Sequence, residues 1–371
     1  MVAKPPNRRP GTTGGSMRAA LFRRHGGPEV MELADVPTPL AGPGEIQLRV
    51  SAVALNHIDL WMRRGLPAMK IDLPHIPGGD VCGRVSALGA GVHGIPLGLR
   101  VSVNPGLSCG HCRDCLDGHD NLCASFRMLG EHTQGAMAEY VVVPAANVVP
   151  APEDRVKISD AALAAVPISF ITAWQMLVDK ARIRPGETVL VLGAGAGVGV
   201  AAIQIAKLFG ARVIAAASTE RKLAAARALG ADETINYSSE ELVGAVKRLT
   251  ARRGVDIVVE HTGAATFAKS VVSCARGGRI VTCGATDGYE TLLNLRHLFW
   301  RQLSLLGSTL APKSRLFDVI DRIAAGQLRP IVDRVLPLAE VAEAHRALEA
   351  REAFGKIVLS LDGDGEPPSV A

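Results

Sequence analysis

A chain of 371 residues is long enough for two ordinary domains and a large core. Hydrophobic residues make up 48% and charged residues 21%, and 39 Gly with 22 Pro fall short of the ~25–30% of low-complexity chains, which excludes disorder for most of the length. Aromatics are only 4%, and the net charge of +5 arises from 41 Lys and Arg scattered among 36 acids, so there is neither a base-stacking platform nor a basic stripe and no nucleic-acid partner is expected.

Residues 1–16 (MVAKPPNRRPGTTGGS) lack the apolar run of a secretory signal and read as a disordered leader before Met17. From Met17 to Pro150 short β-type runs at Ile46 to Ala54, Val81 to Ala87, Arg100 to Asn104 and Ala138 to Pro144 are punctuated by Gly and Pro, which predicts an all-β half. From Ala161 to Leu310 strands and helices alternate. The strands are Thr188 to Leu192, Val213 to Ala217, Asp256 to Glu260 and Arg279 to Cys283; the helices are Val200 to Phe209, Arg221 to Leu229, Leu242 to Thr250 and Ala265 to Ala275. Repeated βα units with almost wholly apolar strands predict an α/β fold with a doubly wound parallel sheet covered on both faces. An amphipathic helix at Glu340 to Leu348 and a terminal run Lys356 to Leu361 close the fold, and the polar residues beyond Asp362 are expected to fray. The most apolar stretch, Thr188 to Ser218, is interrupted by Gln204, Lys207 and Arg212 and crowded with glycine, so it reads as buried strand, loop and helix, not as a membrane span. A cytoplasmic protein is expected.

Within that stretch Thr188 to Gly199 reads TVLVLGAGAGVG and runs straight into a helix. A glycine triplet alone is a weak signal, but between a strand and a helix of a βαβ unit it marks a dinucleotide loop. Gly193, Gly195, Ala196, Gly197, Val198 and Gly199 let the backbone approach a pyrophosphate, and the helix amino end supplies free N–H groups. An NAD site usually ends its second strand in an acid that binds the ribose hydroxyls; here Ala217 and Ser218 stand there. With no carboxylate to repel a 2′-phosphate, and with Ser218, Arg221 and Lys222 at hand, NADPH is favoured over NADH. The bland alternative is that Arg221 and Lys222 are the solvated first turn of a helix.

The seven cysteines include Cys109, Cys112, Cys115 and Cys123, spaced C-x2-C-x2-C-x7-C in a Gly- and Asp-rich loop. Four thiolates complete a tetrahedral zinc, so the spacing predicts one closed, structural site; an iron–sulfur cluster is the competing reading. Free thiols would leave this loop with little to order it.

The β half, the cysteine lobe, the GAGAGVG loop and the closing Phe354-Gly355-Lys356-Ile357-Val358-Leu359 together resemble the medium-chain dehydrogenase/reductase superfamily from about Met17 to Leu361. The resemblance implies a GroES-like catalytic domain from residues 17–160 and 311–371, a Rossmann NADP-binding domain from 161–310, and a cofactor cleft between them. It also separates two branches. In the zinc alcohol dehydrogenases the segment matching Asn56-His57-Ile58-Asp59 begins with a cysteine ligand and carries a Ser or Thr proton relay; here those positions are Asn56 and Ile58. The ligand histidine and its neighbouring glutamate become Gly79 and Asp80, and the second ligand cysteine becomes Ile168, four residues before Thr172. A site rebuilt from Asp80, His57 and His75 is conceivable in donor chemistry; the bland readings are a solvated His75 and a His57 facing the cofactor phosphates.

Asn56, Asp59 and Arg63-Arg64-Gly65 instead look like the Asn-x-x-Asp and Arg-x-Gly pattern of the quinone reductases, whose 2′-phosphate Lys and Tyr fall on Lys222 and Tyr237. The cysteine lobe departs from that branch, since it is typical of the alcohol dehydrogenases. The leading expectation is therefore an NADPH-dependent reductase of quinones or α,β-unsaturated carbonyl compounds. In it Asn56 donates to the developing oxyanion, Asp59 orients Asn56 or joins a proton path, Thr172 contacts the nicotinamide, and His57 and Lys356 lie on the cofactor. Trp61, Phe299 and Trp300 are candidate walls of an apolar pocket. The alternatives are an alcohol dehydrogenase and a non-catalytic NADPH- or RNA-binding relative. A small-molecule substrate, no membrane and a homodimer or homotetramer complete the expectation.

Overall fold

The computed structural model describes residues 12–66 and 70–361. A hairpin of β1 (Thr12–Leu21) and β2 (Glu32–Pro39) precedes β3 (Glu45–Ala54), helix α1 (His57–Arg64), β4 (Asp80–Leu88) and β5 (Arg100–Val103). The cysteine lobe follows, bounded by the short pair β6 (Gly106–Leu107) and β7 (Arg127–Met128) and carrying the one-turn helix α2 (Arg113–Leu116). After β8 (Tyr140–Pro144) and β9 (Val148–Pro150), helices α3 (Asp160–Ala164) and α4 (Pro167–Trp174) lead into the alternating half. That half contains β10 (Thr188–Val191), α5 (Gly197–Leu208), β11 (Arg212–Ala217), α6 (Glu220–Ala228), β12 (Glu233–Asn236), α7 (Leu242–Leu249), β13 (Val255–Glu260), α8 (Ala264–Ser273), β14 (Cys274–Thr282), α9 (Leu295–Arg301) and β15 (Ser304–Gly307). The chain ends with α10 (Ser314–Ala324), β16 (Val332–Pro337), α11 (Val341–Glu349) and β17 (Lys356–Ser360).

The six strands of the alternating half form one parallel sheet in the order β12-β11-β10-β13-β14-β15. Its order reverses between β10 and β13, so a crevice opens beyond the carboxyl ends of these strands, where open α/β sheets bind ligands. Every residue of β10 is buried, as strands covered by helices on both faces require. The second sheet runs β16-β17-β3-β4-β5-β9 with β8 paired to β3, so its strands come from both ends of the chain. The architecture is α/β, a GroES-like β domain beside a Rossmann doubly wound sheet. Among the described residues no helix is long and apolar enough to cross a membrane.

Three differences from expectation have physical causes. Thr12 to Ser16, taken from their polarity as part of a disordered leader, begin β1, because the backbone edge of β2 is open to pair with them; residues 1–11 lie outside the described residues. Strand β12 carries no apolar run, since only Ile235 of its four residues is fully buried, and β15 is exposed at the sheet edge; periodicity therefore missed both. His75 is not solvated. It is 3% exposed, and its Nε2 lies 3.0 Å from the Gly130 carbonyl oxygen.

Helix α1 carries the candidate catalytic residues and is held from behind by Arg63, whose side chain is fully buried. Its guanidinium donates to the Gly26 carbonyl at 3.2 Å and lies 3.1 Å from His345 Nδ1, and it also pairs with Glu349 of α11. The Arg-x-Gly pattern is thus a structural anchor. Burial, with the Arg63 charge beside it, pushes His345 down to about 3, so the imidazole is neutral and accepts from the guanidinium. Arg63→Ala would leave the Gly26 carbonyl and the buried His345 Nδ1 without this donor and should destabilise the fold by about 3–5 kcal/mol, whereas Arg64→Ala, at a half-exposed pair with Glu349, should change it by less than about 1 kcal/mol. Urea unfolding of the two variants checks this; equal losses would mean that Arg63 is not the anchor.

Candidate active site and metal lobe

The site is built around Asp80, the first residue of β4, which is completely buried. One carboxylate oxygen accepts from the Ile168 N–H at 2.7 Å; the other accepts from Asn56 Nδ2 and from Lys356 Nζ, each at 2.9 Å. Lys356 also donates to Asn56 Oδ1 at 2.6 Å. Lys356, expected from the sequence to lie on the cofactor, is a 5% exposed member of this cluster, and its Cδ would lie 2.8 Å from a Cβ on Gly197 of the glycine loop. The amide of Asn56 is therefore oriented without ambiguity, with its oxygen on the ammonium and one N–H on Asp80. Its other contact, Nδ2 to the Ala54 carbonyl, is a long 3.4 Å.

Asn56 sits at the head of α1, and Asp59 closes that end as half of a capping box, taking the Asn56 N–H at 2.7 Å and the Gly78 N–H at 3.0 Å. Burial, outweighing these donors and the Lys356 charge, pushes Asp59 up to about 6. Glu131, which the sequence analysis did not single out, follows Gly130, and a Cβ on Gly130 would stand 2.6 Å from the Gly78 backbone. Burial and the nearby Asp59 charge push Glu131 up to about 7. Only the packing of the 129–135 loop on Gly78 and Gly79 reveals it, and no local sequence pattern encodes that.

The three positions that hold metal ligands in the alcohol dehydrogenases do come together. A Cβ on Gly79 would lie 3.3 Å from Ile168 Cδ1 and 2.9 Å from the Leu129 carbonyl oxygen, so this position has no room for any side chain. Asn56 and Ile168 meet at Asp80. His57 and His75 do not converge with Asp80; among the described residues the cluster suited to a metal is the four cysteines.

In that lobe the Sγ atoms of Cys109, Cys112, Cys115 and Cys123 lie within 4.8 Å of one another, with Cys109–Cys115 at 3.9 Å and Cys112–Cys115 at 3.5 Å. The edge of a tetrahedron with ~2.3 Å metal–sulfur bonds is about 3.8 Å, so the spacing suits a four-thiolate metal. Backbone N–H groups of Cys112 and Ser125 point at Cys109 Sγ and Cys123 Sγ at 3.3 and 3.4 Å, donors that favour thiolate charge.

The glycine loop joins β10 to α5 as expected. Gly193 has φ +54°, and a Cβ there would meet His261 Cε1 at 2.6 Å; His261, at the end of β13, is a neighbour the sequence did not disclose. A Cβ on Gly195 would lie 2.9 Å from Lys222 Cδ, so the lysine stem crosses the loop. The glycines of the loop thus have no room for side chains of their own, because His261 and Lys222 lie directly against them. Ala196 bridges to Gly355, and Gly197, Val198 and Gly199 open α5. Ser218 follows β11, and Tyr237, 45% exposed, donates its N–H to the Ala217 carbonyl at 3.2 Å, so both stand at the ribose end. Arg221 is exposed and Lys222 half-buried, and they donate to the carbonyls of Glu352 and Arg351 respectively. His57 is driven down to about 4 by burial and by His261, Arg351, Lys356 and Arg64, so it is neutral. Thr172 is 5% exposed on α4. Phe299 and Trp300, candidate pocket walls from the sequence, are largely exposed. They are 68% and 66% exposed on α9 beside the edge strand β15, while Trp61 packs edge-on against Tyr289.

The sequence patterns of the zinc-binding dehydrogenase family and of the alcohol dehydrogenase GroES-like domain match residues 197–325 and 42–153. The NAD-dependent alcohol dehydrogenase of Sulfurisphaera tokodaii is 31% identical over 92% of this chain and 99% of its own length. The human quinone oxidoreductase is 29% identical over 93% and 98%. A crystal structure of an NAD-dependent alcohol dehydrogenase superposes with a TM-score of 0.89 at 54% identity, covering 93% of this chain and all of its own. Sheet order, glycine cradle, cysteine lobe and these likenesses agree: the chain belongs to the medium-chain dehydrogenase/reductase superfamily, with the zinc-type alcohol dehydrogenases and quinone oxidoreductases, and is an NAD(P)-dependent oxidoreductase.

Proposed function

We propose that the chain is an NADPH-dependent reductase of quinones or α,β-unsaturated carbonyl compounds that works without a catalytic zinc and holds one structural zinc on Cys109, Cys112, Cys115 and Cys123. One observation carries the reading. The positions that would ligate a catalytic metal are an amide, a glycine with no space for a side chain and an isoleucine, and the nearby carboxylate, Asp80, is already paired with Lys356. The absence of an acid after Ala217, with Ser218, Lys222 and Tyr237 at that end, supports NADPH. The exposed apolar residues Leu292, Leu295, Phe299 and Trp300 beside the edge strand β15 support a homodimer or homotetramer assembled there.

NADPH supplies hydride when bound. The chain's residues then handle the charge that develops on the substrate carbonyl. Asn56 is the donor: Lys356 on its oxygen polarises the amide, and the N–H that makes only the 3.4 Å contact turns to the oxyanion. Asp59 fixes the backbone of Asn56, and α4 presents Thr172 to the nicotinamide. A delocalised enolate or hydroquinone anion can be stabilised by such a donor, whereas an alkoxide usually needs a metal and a relay hydroxyl, and Ile58 stands in the relay's place. The name of the 54% identical structure favours a second reading, alcohol oxidation with NAD.

Turnover with NADPH on a panel of quinones, enals and alcohols separates the two. Quinone or enal reduction is expected, and Asn56→Ala should lower kcat by about 10²-fold while leaving NADPH binding nearly intact. Chelator-insensitive alcohol oxidation with no quinone or enal turnover would falsify the proposal.

Elemental analysis should give one zinc per chain, absent from Cys115→Ser; two equivalents would place a second metal at the active site, and iron would change the identity of the first.

Asp59 and Glu131 hold their protons to higher pH in the folded chain than in the unfolded one. The folded state thus binds the extra protons between the ordinary carboxylate range and about 7, and stability falls as pH rises through that window. Glu131→Gln removes one of the two groups. In urea unfolding the variant should gain on the unaltered protein between pH 5 and pH 8; the same difference at both values would mean that Glu131 titrates as a free carboxyl.

A further inference from the structure

The nucleotide loop is overlaid by a strap from the other end of the chain. Gly355 N donates to the Gly195 carbonyl at 2.8 Å, and the residues just before it, Arg351 and Glu352, receive Lys222 and Arg221 on their carbonyl oxygens. Arg351 holds a left-handed conformation, φ +53°, unusual for a residue with a side chain. Its guanidinium crosses toward Asp287, in the loop after β14, at a loose 3.9 Å, with 56% of the side chain exposed. It therefore lies between Lys222 on the ribose side and the loop at the end of β14 on the other, over the glycine cradle.

A cation beside the cradle would strengthen its hold on a pyrophosphate. A dinucleotide pyrophosphate carries two negative charges, and backbone N–H groups supply only partial ones. His57, which the sequence offered as facing the cofactor phosphates, is neutral, and the ammonium of Lys356 is engaged by Asp80 and Asn56. Arg221 is drawn toward Asp333 at 3.7 Å, an acid already engaged by Arg334 and by the Phe354 N–H, each at 2.9 Å. Arg351 has only the loose Asp287 contact among acids at the cradle, and its charge is felt by both Lys222 and His57. Arginine also has the planar pair of donors that suits bridging phosphate oxygens.

We propose that Arg351 is the pyrophosphate-gripping residue of this enzyme, reaching over the glycine loop from the strap and leaving Lys222 to the 2′-phosphate. The assignment rests on the dinucleotide reading of the loop, and its test separates the two phosphate sites. Titration calorimetry of the full chain with NADPH, NADH, ADP-ribose and 2′-AMP distinguishes ligands that contain the pyrophosphate from one that carries only the 2′-phosphate. Arg351→Asn removes the charge while tolerating the left-handed backbone, and a thermal midpoint close to that of the unaltered protein shows that the strap still folds. The variant should bind NADPH, NADH and ADP-ribose about tenfold more weakly and 2′-AMP within twofold, with Arg351→Lys falling between. Lys222→Ala should do the reverse, weakening NADPH and 2′-AMP and sparing NADH and ADP-ribose. Unchanged ADP-ribose binding in Arg351→Asn, or an equal loss for 2′-AMP, overturns the role of Arg351. Unchanged NADPH and 2′-AMP binding in Lys222→Ala overturns the NADPH reading and leaves the pyrophosphate assignment standing.

Discussion

The buried pair between Asp80 and Lys356, 2.9 Å apart with side chains 0% and 6% exposed, is the contact through which the site is assembled. A buried ion pair is weak as a source of net stability, because stripping water from each charge costs several kcal/mol, roughly what the attraction returns. Its value lies in what else Asp80 can hold once its charge is balanced. One oxygen takes the Ile168 N–H in the first turn of α4, where a helix has unsatisfied donors and favours negative charge; the other takes Asn56. A single carboxylate thus fixes the start of α4 and hence Thr172, the amide at the head of α1, and the first residue of β17. Removing either charge would leave the other buried without a counter-charge, so the cluster stands or falls as a unit.

This arrangement also sets the chemistry. A catalytic zinc would bring two positive charges to the reacting oxygen. Here the ammonium of Lys356 is already balanced by Asp80, and in the proposed reaction it acts on the substrate through the polarised amide of Asn56. Two further carboxyls, Asp59 and Glu131, stand nearby with their protons held more tightly than usual, so the surroundings resist any large negative charge that stays localised. Such a site matches an anion spread over several atoms better than an alkoxide. The raised carboxyls can also hold a proton close to neutral pH, the condition for a group that must donate one.

How much of this was legible in the sequence divides along contact range. The βα rhythm, the glycine loop and the cysteine spacing are local, and each appears in the structure at about the expected place. The partners of the site residues are not local. Lys356 and Asn56 are 300 positions apart, Lys356 and Asp80 276, and Arg63 and Glu349 286. Nothing in the neighbourhood of Lys356 signals that its ammonium pairs with Asp80 and Asn56, nor does a Pro-rich stretch around His75 show that Gly130 will cover it. The exposure of the α9 aromatics was not legible for the complementary reason: it depends on what lies beside the edge of the sheet, and composition carries no trace of that.

The cysteine lobe is tied into the same system although it lies apart from it. Asp120, beside the last ligand, accepts from the Lys313 N–H at 3.0 Å and from its ammonium at 2.8 Å, and Asn121 donates to the Thr309 carbonyl at 3.4 Å. Residues 309–313 lead directly into α10, which packs on α4 through a shared apolar cluster containing Leu316, Ile320 and Phe170. A four-thiolate metal that orders the lobe would therefore also fix the point where the chain leaves the parallel sheet for the β domain, and through α10 it would brace the helix that Asp80 caps. A closed metal site needs no open coordination position for such a role, so the lobe can brace the fold even where, as proposed, the active site works without a metal.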